Sequence, residues 1–370
     1  MVPPLSFTFG NLPNIGWQDP TKRLADLARA CEQAGFDRFA VTDAKFYQDY
    51  FVVMTACLQA TETLDVESLV TEPYVRNVAV MATAIATMDD LSRGRAILGI
   101  GGGVESSSRV WVSPWGFDRP HPVDAVREAV DVSRRMWRGD EVTFRGKVVR
   151  VEAAKLGFTA RPGTRVLIAA RSPRMLSLAG EVAEIAHIAT FYLNLSWQRR
   201  ILSDIRRGAE TAGRPMSSFE IDISVACSIS ADREAARRAA KRPAAKGILW
   251  TAGADPYALK TWTRPADFTV PTRLIEELSN WDFRAVPELP REIETAISDE
   301  ILDDFAVAGT PRECAERIVE LKRALPEITG VRVDAVPPLG GGKLLYDGYI
   351  EMMSGYAEMI RLVNQRLSAA

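Results

Sequence analysis

Residues 64–105 constrain the fold more than any other stretch of the chain. They read LDVESLV, TEPYVRN, VAVMATAIATMDDLSRGR, AILGIGGG and VE in turn. This is a strand, a Pro-containing loop, an amphipathic helix stopped by Gly, and a second apolar strand that runs into three glycines. In the helix Val78, Met81, Ile85 and Met88 share one face, with Val80, Ala84 and Leu91 beside it. Asn77 is placed as its N-cap and Gly94 where a left-handed C-cap belongs. Ala96 to Ile100 is a short continuous apolar run, the pattern of a strand buried on both faces of a parallel sheet. Gly101, Gly102 and Gly103 remove all side chains at its C-terminal end, so a flat or charged group can approach the backbone there. The unit is β-loop-α-β, and its functional end is the carboxyl end of the strands.

The rest of the chain repeats the alternation. Strands are expected at Leu5–Phe9, Phe36–Thr42, 64–70, Ala96–Ile100, Arg165–Ala170, Ile185–Thr190, 219–229 and Gly330–Ala335. Helices are expected near 21–34, 47–61, 120–137, 174–182, 196–213, 231–247, 310–324 and 347–367, with a hairpin at 141–152. Eight strands alternating with helices indicate an α/β chain folded as a (β/α)8 TIM barrel. Its 370 residues then form a single domain. Residues 249–305 break the rhythm with Trp250, Trp262, Trp281 and five prolines. They read as an insertion, either over the barrel mouth or packed on the barrel side. The Ala/Arg-rich segment 235–246 reads as solvated surface.

Composition excludes several function classes. With 47% hydrophobic and 25% charged residues and a net charge of −2, the chain has an ample core and no basic field for nucleic acid. Cys31, Cys57, Cys227 and Cys314 form no C-x-x-C pair, so neither a disulfide framework nor a structural zinc site is expected. The start, MVPPLSFTFG, lacks a basic region and a long apolar core, and no apolar run is long enough to span a bilayer. A cytoplasmic protein acting on a small molecule is expected. The two histidines, His121 and His187, are too few for a His-rich metal site, and a Ser-His-Asp hydrolase is not expected.

Four segments carry a resemblance. They are VTEPYVRN with ATMDDLSRGRAILGIGGG, VLIAARSPRMLSLAGEVAEIAHIA, EQAGFDRFAVTD and DDFAVAGTPRECAERI. Together they resemble the bacterial luciferase-like superfamily, and within it the deazaflavin-using branch that includes methylenetetrahydromethanopterin reductase. The resemblance spans nearly the whole chain. It implies an oxidoreductase that exchanges a hydride between coenzyme F420 and a small organic substrate. FMN is the alternative cofactor, which would make the chain a monooxygenase using FMNH2 and oxygen. A cofactor-free ligand-binding barrel is a third reading. The family's members are often homodimers.

Carried over by position, the resemblance places a non-prolyl cis peptide at Leu69-Val70, just before Thr71, backing the cofactor ring. It places Gly101 to Gly103 along the ring and its side chain. Ala170, Arg171 and Ser172 stand where relatives have two glycines and a phosphate on the next helix N-terminus, although Ser172 is equally a plain N-cap. Asp43 ends the second strand, where relatives often follow with His; here Ala44 follows, so that acid-base group is not carried over. Glu105 stands near a position where relatives place a proton donor, and is equally a solvated loop residue. Asp43 and Glu105 are the catalytic candidates, and Asn11, Arg76 and Thr190 the candidate substrate-pocket lining. Where relatives often read Ala-Asp-Gly, this chain has Ala183-Glu184-Ile185, a departure that puts the local packing in question.

Overall fold

The computed structural model describes residues 5–10, 18–44, 47–103, 119–254, 265, 267–281, 289–338 and 345–369. Strands and helices alternate from the start: β1 (Ser6–Gly10), α1 (Pro20–Gln33), β2 (Arg38–Val41), α2 (Tyr50–Ala60), β3 (Asp65–Ser68), α3 (Val78–Ser92), β4 (Ala96–Ile100) and α4 (Pro122–Trp137). An antiparallel hairpin follows, β5 (Val142–Arg145) with β6 (Arg150–Ala154). The alternation resumes with β7 (Arg165–Ala170), α5 (Pro173–Val182), β8 (Ile185–Ile188), α6 (Leu195–Thr211), β9 (Glu220–Ile229) and α7 (Arg233–Ala252). Three short helices, α8 (Thr272–Ser279), α9 (Arg291–Ala296) and α10 (Asp299–Asp303), precede β10 (Ala306–Gly309), α11 (Pro311–Ala324), β11 (Gly330–Ala335) and α12 (Leu345–Ser368).

Hydrogen bonds run β1-β2-β3-β4-β7-β8-β9-β11 and back to β1, every pair parallel, so the eight strands close a barrel. This is the expected (β/α)8 fold. One strand was not foreseen. β10 pairs with Ala226–Ile229 of β9, above the stretch Glu220–Ile223 that β8 pairs, so one long strand serves two neighbours.

Local chemistry explains the boundaries. Asn77 Oδ1 accepts from Ala79 and Val80 N–H at the start of α3, and the chain leaves that helix through Arg93 and Gly94, both at positive φ. Thr310 and Glu313 cap α11 reciprocally, with Pro311 in its first turn. Helices α5 and α6 cross closely enough that a Cβ on Gly208 would lie 1.7 Å from the Ser177 carbonyl oxygen. One on Gly180 would lie 2.0 Å from that of Ile205, so no side chain larger than hydrogen fits at either position.

Helix α7 corrects one expectation. It runs on to Ala252, past the foreseen end near 247, and carries Trp250 in its last turn. Segment 235–246 is also not a solvated surface throughout. Ala236, Ala240, Ala244 and Ala245 are buried, and Arg237 reaches Asp299 and Asp303 of α10. Small alanines let the helix sit close to the barrel, which the residue count alone could not reveal. The described parts of 249–305 pack against α7 and one another, with Phe268 edge-on to Tyr192 and Phe305.

The core has two compartments. A large apolar layer lies between strands and helices, where Phe9 stacks with Phe39 and meets Phe36, Tyr349 and Tyr356 edge-on. The second compartment is the barrel lumen.

Candidate functional site

Contacts across the barrel show which side chains fill the lumen. β2 and β9 are not neighbours, yet Arg38 Nη2 binds both oxygens of Asp222 at 3.0 and 2.8 Å, so this pair spans the interior. Arg38 also donates to Thr8 Oγ1 at 2.9 Å and to Glu220 at 2.8 Å. Glu67 of β3 lies 3.8 Å from Arg38 Nε, is fully buried, and neither carboxylate oxygen has a hydrogen bond among the described residues. Burial therefore pushes its carboxyl up to about 7, although Arg38 pulls the other way. For Arg38, burial opposes the charge but is outweighed by Asp222, Glu67 and Glu220, and its pKa rises.

Higher in the lumen Arg332 binds Asp334 at 3.2 Å and donates to Ser224 Oγ at 2.8 Å, which in turn meets His187 Nε2 at 3.1 Å. Burial drives the His187 pKa well below its ordinary value, and Arg332, Arg38 and Arg171 act in the same direction, so the ring is neutral. The other side of the lumen is apolar: Ile97, Leu167 and Ile185 cluster there with Val70 and Ala169. Ile185, the residue at the departure from Ala-Asp-Gly, fills this patch. The lumen is thus polar along β1, β2, β3, β9 and β11 and apolar along β4 and β7, with Ile185 and His187 of β8 at the boundary.

The mouth lies at the carboxyl ends of the strands. The Leu69-Val70 peptide is cis, as the resemblance implied. Ser68 Oγ accepts from Gly99 N–H and donates to Gly99 C=O, both at 2.9 Å, and Thr71 then returns to bridge Ile100. A Cβ on Gly99 would lie 1.7 Å from the Ser68 carbonyl oxygen, so this junction requires glycine. Gly99 was overlooked beside the three glycines that follow it. Of those, Gly101 continues the pairing with Thr71, and its missing Cβ would touch Val70 Cγ2 at 3.0 Å. A Cβ on Gly102 would crowd Pro122 and Met175. Val70, Gly101 and Ala169 adjoin there and form an apolar shelf.

The other expected residues are placed as follows. Asp43 is buried and binds Arg76 at 2.8 Å, and Arg76 also holds Asp49 at 2.9 Å while lying over the Tyr50 ring. The Tyr50 phenol is pushed up by burial and lies beside Thr71. Arg171 turns aside onto α7, its guanidinium 4.4 Å above the Trp250 ring, which Lys246 also approaches at 4.6 Å. Ser172 accepts from Met175 N–H at 3.4 Å, so it serves as the N-cap of α5. Thr190 is buried and accepts from Tyr192 N–H, fixing the turn after β8. Asn11 and Glu105 lie outside the described residues.

Two buried polar atoms in the lumen, His187 Nδ1 and Ser228 Oγ, have no hydrogen-bond partner among the described residues. An apolar shelf beside orphaned polar atoms fits a flat ring that carries heteroatoms on one edge. Among the described residues no cluster of His, Cys, Asp and Glu could hold a metal, and no helix is long and apolar enough to cross a membrane.

The profile of the luciferase-like monooxygenase family matches residues 6–327, from the first barrel strand almost to the last. The chain belongs to this family. The 5,10-methylenetetrahydromethanopterin reductase of Archaeoglobus fulgidus is 30% identical over 322 residues, covering 85% of this chain and 89% of its own. That of Methanolobus tindarius is 27% identical, covering 88% and 93%. The coenzyme F420-dependent tetrahydromethanopterin reductase of Methanopyrus kandleri superposes with a TM-score of 0.73 at 22% identity over 98% of both chains. An F420-dependent secondary alcohol dehydrogenase, solved with an F420–acetone adduct, gives 0.71 at 19% identity, over 97% of this chain and 99% of its own. The luciferase-like family member is an oxidoreductase, as its relatives are.

The sequence reading missed His187, Ser224, Arg332, Asp334, Arg38, Glu67 and Asp222. For His187, Asp222, Ser224, Arg332 and Asp334 the signal was present: each is a polar residue on one face of a strand otherwise apolar enough to be buried, as in IAHIA, EIDISVA and GVRVDA. Arg38 and Glu67 carry no such pattern.

Proposed function

We propose that the protein binds coenzyme F420 in the barrel mouth and exchanges a hydride with a small organic substrate there. The observation that carries this reading is the match, over 85–88% of the chain, to methylenetetrahydromethanopterin reductases at up to 30% identity. Bound coenzyme F420 supplies the hydride-carrying carbon, so the chain's own residues need only bind, orient and exclude water. Leu69, Val70 and Thr71 back one face of the ring, and Gly101, Gly102 and Gly103 let the ring and its side chain approach the backbone. Ala170, Arg171 and Ser172 receive the phosphate end, with Arg171 contributing charge from its seat on Trp250. Arg76, Thr190 and Asn11 border the substrate space, and Asp43 and Glu105 are its acidic groups. The neutral His187 and the ion-paired Asp43 agree with chemistry that moves little protonic charge.

A second reading, reduced FMN with oxygen, is favoured by the likeness of the barrel to the monooxygenase RslO1 of Streptomyces bottropensis, with a TM-score of 0.67 at 18% identity. The two readings separate in a fluorescence titration of the purified protein with coenzyme F420 and with FMN. Tighter binding of F420 supports the first, and preference for FMN replaces it with the second. Binding of neither leaves a cofactor-free barrel.

The assembly in this reading is a homodimer. Val80 and Leu91 of α3 are 63% and 50% exposed, and Val52 of α2 is 61% exposed. Between them lie Thr83, Ala84 and Thr87, with Asp90 as the exposed charge beside Leu91. A second copy of the chain covers this outward face of α3.

A further inference from the structure

The hydrogen-bond chain above Arg38 fixes the protonation of His187. Arg332 can only donate, and it gives one N–H to Ser224 Oγ at 2.8 Å. The Ser224 hydroxyl therefore keeps one proton, and its remaining neighbour is His187 Nε2 at 3.1 Å. If Nε2 carried the imidazole proton, both the Ser224 hydroxyl proton and the Nδ1 lone pair would be buried without partners. If Nε2 accepts, only one orphan remains: an N–H on Nδ1. The second arrangement leaves fewer buried polar groups unsatisfied, and it is the stable one.

That orphan is placed for use. His187 is 1% exposed and stands in register with Ala169 on one side and Asp222 on the other. Ala169 belongs to the shelf with Val70, and the Ala169 carbonyl is 3.4 Å from where a Gly101 Cβ would stand. His187 thus marks the seam where the apolar wall meets the polar one.

We propose that His187 is a cofactor-binding residue, locked as the Nδ1–H tautomer by Ser224 and Arg332, that donates a hydrogen bond to a carbonyl on the ring edge. The inference rests on the deazaflavin reading and adds the residue that sets the ring's orientation. Because the imidazole is held neutral among Arg332, Arg38 and Arg171, with Asp334 and Asp222 paired to those cations, it donates without bringing a charge.

The chain's two histidines make the test direct. Long-range proton–nitrogen spectra of the full-length protein with ring-labelled histidine will show two rings, one of them the exposed His121. The other ring is expected as the neutral Nδ1–H form, unchanged between about pH 5 and 8. Addition of coenzyme F420 is expected to shift the His187 Nδ1 resonance. His187→Leu is expected to weaken F420 binding about tenfold, the loss of one hydrogen bond to a buried group, while His187→Asn restores most of it. An Nε2–H tautomer, or a ring that titrates in that window, overturns the proposal. So does F420 binding that leaves the Nδ1 resonance in place, with the function above intact. If neither F420 nor FMN binds, the proposed function itself falls, and this role with it.

Discussion

Glu67→Gln tests the lumen's electrostatics most sharply. The carboxyl of Glu67 has a pKa of about 7 in the folded chain against an ordinary value of 4.5. Between those values the folded protein holds a proton that the unfolded chain releases. The stability it confers is therefore complete below about pH 4.5 and is lost as pH rises through 7. At about 1.4 kcal/mol per tenfold change in proton affinity, ionised Glu67 destabilises the fold by about 3 kcal/mol at pH 8.5. Glutamine has nearly the same shape and never ionises. Arg38 does not lose its main partners in the variant, because Asp222 and Glu220 remain. With about 2 cal/mol/K of unfolding entropy for each of 370 residues, 3 kcal/mol corresponds to about 4 °C. Thermal unfolding of both proteins at about pH 4 and pH 8.5 should give equal midpoints at pH 4 and a variant about 4 °C more stable at pH 8.5. A difference that does not change with pH would refute the argument that Glu67 is buried without adequate pairing.

Other perturbations follow from the same geometry. Arg38→Met removes the cation that Asp222 and Glu67 share and should cost about 3–5 kcal/mol, read as a lower melting midpoint and less soluble protein. Gly99→Ala should push β3 away from β4 and weaken coenzyme F420 binding more than tenfold in the fluorescence titration; unchanged affinity would mean the junction does not shape the ring site. The double variant Val80→Glu, Leu91→Glu should run as a monomer by light scattering where the parent runs as a dimer, and a monomeric parent would remove the proposed interface.

The order of strands and helices was readable because each buried strand is a short apolar run closed by a turn residue, and each helix keeps one apolar face. The mouth was partly readable too, through Leu69-Val70 and the glycines after β4. What escaped was set by contacts between distant segments. Nothing near Arg38 in sequence announces that Asp222 lies opposite it, since the pairing exists only once the barrel is closed. Gly99 looked like any small strand residue until the Ser68 carbonyl was seen beneath it. Ser172 was foreseen equally as an N-cap and as a phosphate contact, and Thr190 as a pocket lining; the hydroxyls accept from the Met175 and Tyr192 backbone amides. Local capping and ligand binding use the same residue types, and sequence alone does not separate them.

The cluster around Arg38 also bears on how the chain comes to be made. Arg38 and Glu67 leave the ribosome well before Asp222, and Arg332 emerges later still. Until then a nascent half-barrel of β1 to β4 would have to bury the Arg38 cation without the carboxylate that binds it through both oxygens. Such a half is held back from collapsing into a stable intermediate by its own interior. Although the architecture is built from repeated β–α units, synthesis therefore cannot lock them in one at a time, and the barrel matures as a unit once its last strands arrive.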